Sequence, residues 1–134
     1  IFDQPPVFRG LNSSSRMVGS GRDNILNSLS VLPGGEYGLC GSSRLNPALI
    51  FGRVGEIPLA QIWNDNPTLR ALREGMPDDL EGICGHCAMK TACMGNCVVE
   101  NYLSTGNLWG PYWLCDAAAR SGLFPAGRII ENVW

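Results

Sequence analysis

The sequence predicts a small, loop-rich α+β fold, in which a β-hairpin and several short helices gather around a cysteine-ligated metal centre. Three observations carry this expectation. Four of the six cysteines fall in one run, Cys84-x2-Cys87-x5-Cys93-x3-Cys97. Glycine makes up 17 of the 134 residues, nearly twice its usual share of about 7%, which with nine prolines favours many turns over long elements. The apolar periodicities are short, and a chain of that kind needs a staple beyond its hydrophobic core.

Residues 1–24, with Pro5-Pro6, Ser13-Ser14-Ser15 and three glycines between Gly10 and Gly21, have the composition of a linker and no sustained period. The chain starts at Ile1 and its first methionine is Met17, so it reads as a piece of a longer protein, with this segment bridging from an upstream domain. Residues 25–134 are expected to form the folded unit. From Asn24 to Cys40, Leu26, Leu29, Val31, Tyr37 and Leu39 flank Pro33-Gly34-Gly35. Two short strands joined by a glycine turn fit that pattern, with Cys40 delivered on the returning strand.

Pro58 can open a helix whose apolar face is Leu59, Ile62 and Trp63. Asn66-Pro67 is a second helix start and Gly75 with Pro77 a stop, placing Leu69 and Leu72 on one buried face. Cys97 to Ser104 reads as a third helix, buried through Val98, Val99, Tyr102 and Leu103 and stopped by Gly106. Cys97 would then sit at its N-terminus, where backbone N–H groups favour a thiolate. Pro111 opens a last helix through about Ser121, ended by Gly122 and Pro125, with Cys115 on its first turns and Tyr112, Trp113 and Leu114 either screening a metal centre from water or simply joining the core.

The cysteines admit three chemistries. Disulfides are the expectation for a secreted chain, but no leader composition points to an oxidising compartment and a C-x2-C pair aims two thiolates at one centre. Four thiolates suit tetrahedral zinc. The unequal steps of C-x5-C-x3-C with a distant Cys115 suit an iron–sulfur cluster, whose ligands are commonly one close run plus a remote cysteine. The single histidine, His86, lies inside the C-x2-C turn, where side chains usually face away from the metal. Asp78, Asp79 and Glu81 read as a solvated face.

The run from Cys84 to Cys97, the later Cys115, and the Gly35-x4-Cys40 segment before them resemble the SPASM domain, the auxiliary-cluster module of radical S-adenosylmethionine enzymes that mature peptides and sulfatases. The stretch FGRVGEIPLAQIW ending at Trp63 agrees, and LEGICGHCAMKTACMGNCVVENY with LWGPYWLCDAA is similar to the peptide-maturase branch of the SynChlorMet cassette type. The resemblance covers about residues 28 to 128. It implies one complete 4Fe-4S cluster on Cys84, Cys87, Cys93 and Cys115, and an incomplete second one with Cys40 and Cys97 as its only thiolates. No cysteine stands between Met17 and Leu32, where further ligands belong, although Ser20 and Asp23 lie near the right place. The resemblance further implies an upstream radical S-adenosylmethionine barrel and a precursor peptide as partners, and a cytoplasmic setting. Radical initiation in that superfamily needs a C-x3-C-x2-C loop, absent here, so this chain alone is expected to be inactive. A zinc-stapled interaction module is the alternative.

Net charge is −2 with no basic run, which argues against nucleic acid as a partner. The apolar stretches fall short of the roughly 20 residues a membrane span needs, so no membrane association is expected. There is no P-loop, G-x-S-x-G or dinucleotide fingerprint. Charged residues are 16% of the chain, below the roughly 25% of ordinary soluble domains, which suggests that part of the surface is normally covered.

Overall fold

The computed structural model describes residues 26–130, so the linker expected at 1–24, with Ser20 and Asp23, lies outside the described residues. The expected hairpin is present as β1 (Ser30–Val31) and β2 (Glu36–Gly38), antiparallel with Ser30 opposite Gly38 and Val31 opposite Tyr37. The turn closes through Gly35 N–H to Leu32 O at 2.8 Å and Leu32 N–H to Glu36 O at 2.7 Å. Leu39, just beyond β2, is buried and leads directly to Cys40.

The free edge of β2 is covered by β3 (Ile50–Arg53), a strand the sequence pattern did not predict. It runs antiparallel, pairing Glu36 with Arg53 and Tyr37 with Gly52, with an irregularity between Tyr37 and Gly38. Arg53 also bridges to Glu36 at 2.8 Å across the pair. Four residues interrupted by a glycine carry too little alternation to announce a strand, and tertiary pairing decides the case. Two 3₁₀ turns, Gly41–Leu45 and Pro47–Leu49, join β2 to β3.

Helix α1 (Leu59–Asp65) begins directly after Pro58, and α2 (Pro67–Gly75) follows after one residue. The break is Asn66, whose Oδ1 accepts from Thr68 N at 3.0 Å and Leu69 N at 3.1 Å, a side-chain N-cap followed by proline at N1. The Arg73 guanidinium lies 4.0 Å from the centre of the Trp63 ring, a cation–π contact that clips α2 onto α1. Leu69 and Leu72 are completely buried, as expected, and Ile62 nearly so. Leu59, by contrast, is 51% exposed: it is the first residue of α1, and the helix meets the core only one turn later.

Four short helices complete the fold: α3 (Gly82–Gly85), α4 (Lys90–Cys93), α5 (Val98–Thr105) and α6 (Trp113–Arg120). Helix α5 matches its expected span and ends at Gly106 with φ +72°. Its buried side differs, however. Val98 and Val99 are inside with Asn101, while Leu103 is 40% exposed. Helix α6 starts two residues after Pro111, and Trp113 is 42% exposed, so it is Tyr112 and not Trp113 that faces inward. Cys84, Cys87 and Cys115 belong to the same continuous core as Tyr37, Leu69, Leu72 and Val99. No described helix is long and apolar enough to cross a membrane.

Candidate metal centre

Four cysteines from four local structures border one cavity. Cys84 sits in α3, Cys87 in an isolated antiparallel bridge with Ile129, Cys93 at the end of α4, and Cys115 in the first turn of α6. Met89, Lys90, Gly95 and Phe124 line it with them. All six cysteines are free. The fourth wall is brought in from a distance: Glu81 N–H donates to Trp109 O at 2.8 Å and Asn107 Nδ2 to Glu81 Oε2 at 2.9 Å, which fixes the loop before α6 against the start of α3.

The C-x2-C turn depends on Gly85. A Cβ there would collide with the carbonyl oxygen of Leu80, so only glycine lets the turn lie against that backbone. From the other side the chain end is strapped on, with Ala88 N–H to Arg128 O and Ile130 N–H to His86 O, both at 2.7 Å.

Between Cys93 and Cys97 the backbone turns left-handed for three consecutive residues: Met94, Gly95 and Asn96 have φ of 50°, 76° and 63°. Each L-residue in that region costs roughly 1–2 kcal/mol, so the turn has to be held. Asn101, fully buried in α5, holds it by donating from Nδ2 to Gly95 O at 2.8 Å, and Cys97 N–H donates to the same carbonyl at 2.8 Å. The consequence is that Cys93 faces the cavity while Cys97, four residues on, does not.

Backbone N–H groups aim at the cavity sulfurs. Tyr112 N–H donates to Cys84 Sγ at 3.3 Å and Met89 N–H to Cys87 Sγ at 3.4 Å, while the Gly95 and Asn96 N–H groups face Cys93 Sγ. The Cys115 thiol donates to Cys84, which lowers the Cys84 pKa and raises that of Cys115. Burial raises Cys87 and pushes Cys93 up to about 12. Cys87 and Cys93 are thus held as thiols against mostly apolar walls, and a bound metal would draw off their protons.

Cys40 and Cys97 form a separate pair. Cys40 occupies the N-cap of the 3₁₀ turn Gly41–Leu45 and Cys97 the N-cap of α5. The Cys97 thiol donates to Cys40, and this bond, with N–H groups of Ser42 and Ser43, lowers the Cys40 pKa to about 6, while sharing the bond raises that of Cys97. Fully buried Ser43 organises the turn, its Oγ accepting from Leu39 N at 3.0 Å and Cys40 N at 3.3 Å.

His86 is exposed and lines a polar groove with Asp78, Glu81 and Lys90 on the outer side of the C-x2-C turn. It stands apart from the thiol cavity, as side chains within such turns usually do. Asp78, Asp79 and Glu81 are exposed, and Asp78 pairs with Lys90 at 3.6 Å. Sequence reasoning missed Asn101, Ser43 and Arg128, whose Nη1 donates to Met89 Sδ at 3.3 Å. Only Ser43 left a readable signal, as a hydroxyl residue three places after the turn's first position.

Residues 24–88 match the family model of the SPASM domain, an iron–sulfur cluster-binding domain. This takes in the sheet, α1, α2, α3 and the C-x2-C pair, and stops before Cys93, Cys97 and Cys115. A segment of 59 residues is 36% identical to the AdoMet-dependent heme synthase of Methanosarcina barkeri (strain Fusaro / DSM 804), covering 44% of this chain and 16% of that protein. No solved structure matches the chain. Each match covers less than half of this chain, and the chain spans about a sixth of the length of the heme synthase.

Proposed function

We propose that this chain is the auxiliary-cluster part of a larger radical S-adenosylmethionine enzyme, carrying one four-iron cluster on Cys84, Cys87, Cys93 and Cys115. The observation that carries the reading is the convergence of those four thiols on a single apolar cavity. Four thiolates would suit zinc as well; a cluster is favoured by the unequal steps of the cysteine run and by the match to an iron–sulfur cluster-binding domain.

A cluster bound there supplies one-electron transfer. Thiolates on all four sides would leave no coordination position for a substrate, which favours an electron-transfer or structural role over direct substrate binding. Met89 and Phe124 give the cavity apolar walls. The N–H groups of Tyr112, Met89, Gly95 and Asn96 offset negative charge on the sulfurs, and Lys90 and Arg128 add two cations beside them. Hydrogen bonds to sulfur and net charge are levers on reduction potential.

For the enzyme's substrate we favour a ribosomally made peptide, on the resemblance of the cysteine run to peptide maturases. The heme synthase relative supports a second reading, in which the larger enzyme acts in heme formation. Product analysis of the full-length enzyme separates the two: a precursor peptide of changed mass supports the first, a heme absorption band the second.

The cluster itself is tested by anaerobic iron and sulfide analysis. Cys84→Ala is expected to lose most of the iron and Cys40→Ala little. Zinc without sulfide in the unaltered protein would establish the interaction-module alternative.

A further inference from the structure

The C-x2-C turn is a wall with different residues on its two sides. Cys84 and Cys87 line the thiol cavity, while Gly85 and His86 between them line the polar groove outside. Lys90 is the residue that the two linings share. We infer that this groove is the port through which iron enters and leaves the cavity, and that the Lys90 side chain is its shutter; the inference rests on the cluster reading above.

An iron ion crosses a polar approach far more readily than an apolar one, since burying an unpaired charge is costly. Met89, Gly95 and Phe124 bring apolar surface to the cavity, and Lys90 is the charged residue on its wall. On the other side Lys90 meets Asp78, Glu81 and His86 in the groove, so the polar approach from solvent ends at this side chain. Its ammonium lies 3.6 Å from Asp78 Oδ1, and the side chain is 25% exposed. A lysine so placed keeps its charge on the wet side and lays its methylene stem along the apolar wall.

The rest of the partition is tied through the main chain. Lys90 N–H donates to Cys87 O at 3.0 Å, Cys87 N–H to Cys84 O at 3.3 Å, and Ile130 N–H to His86 O at 2.7 Å. The Lys90 side chain, by contrast, is held by an ion pair whose carboxylate is 88% exposed, and surface pairs of that kind contribute little. Lys90 is therefore the part of the wall that can swing without breaking backbone hydrogen bonds.

The test is made on the cluster-loaded full chain under anaerobic conditions, with EDTA as the probe and loss of the cluster's visible absorption as the readout. Lys90→Ala is expected to lose iron faster, on the order of tenfold, because removal no longer waits for local opening. Lys90→Met keeps the stem and is expected to stay within about twofold of the unaltered rate. His86→Trp adds bulk on the groove side and is expected to slow the loss. Opposite signs for Lys90→Ala and His86→Trp separate a port from general loosening, which speeds loss in both. Equal rates in Lys90→Ala and the unaltered chain overturn the inference, as does a Lys90→Met rate matching Lys90→Ala. If Lys90→Ala does not fold, His86→Trp decides alone: slower loss supports the port, and equal or faster loss overturns it. Iron and sulfide analysis of the unaltered chain comes first: their absence overturns the cluster reading and the port together, whereas unchanged rates in loaded protein overturn the port alone.

Discussion

The side-chain amide of Asn101 donates to the carbonyl of Gly95 at 2.8 Å, so a residue of α5 that touches none of the four cavity sulfurs holds the backbone that carries two N–H groups to Cys93. Its Oδ1 is buried and has no partner among the described residues, so the contribution of the side chain lies in its donor. Asn101→Leu, of similar size, is expected to destabilise the protein by about 1–3 kcal/mol, the usual cost of stranding a buried carbonyl, reduced here because Cys97 N–H still bonds it. Asn101→Asp is expected to cost more, since it replaces the donor with a buried charge facing a carbonyl. Thermal melts of the two variants check the order.

Gly85→Ala places a methyl group into the Leu80 carbonyl and is expected to displace the C-x2-C turn, so that bound iron falls by more than half. Gly41→Ala is the matched control, since nothing lies within 4 Å of a Cβ there and iron is expected to stay at the unaltered level. Equal iron in both variants would show that the turn adapts.

Removing the metal is expected to unfold much of the second half of the chain, because Cys84, Cys87 and Cys115 are part of the main core and ligand binding and folding then become one equilibrium. Circular dichroism followed against residual iron tests this. A full helical signal in verified metal-free protein would show that the hydrophobic core suffices.

The chain has no C-x3-C-x2-C run, so the purified chain is expected neither to bind S-adenosylmethionine specifically nor to cleave it with any reductant. Chromatographic detection of 5′-deoxyadenosine above a cluster-free control would refute this.

What the sequence made legible was local. Asn66-Pro67 and Gly106 end or begin helices through contacts within a few residues, and both stand where their chemistry puts them. Strand β3 was hidden because its pairing with β2 is its only reason to be extended. Leu59, Leu103 and Trp113 were misjudged for a related reason: a periodic apolar face says which side can be buried, whereas neighbouring elements decide how far burial reaches. At the site, spacing pointed to a metal but did not say which sulfurs belong together. The separation of Cys93 from Cys97 is made by three left-handed residues and by Asn101, and an interaction between residues on different elements leaves no pattern in the chain.

The hydrogen bonds to the sulfurs of Cys84 and Cys87 come from the main chain, at Tyr112 and Met89, and this sets what substitution experiments can reveal. An alanine scan deletes side chains and leaves amides in place, so it would register the cysteines and pass over their donors. Natural sequence drift is under the same rule: an amide persists through any change of side chain that keeps the path of the backbone. The electrostatic surroundings of the sulfurs are thus inherited as a shape, and relatives with little identity around the cavity could still present the same amides to it.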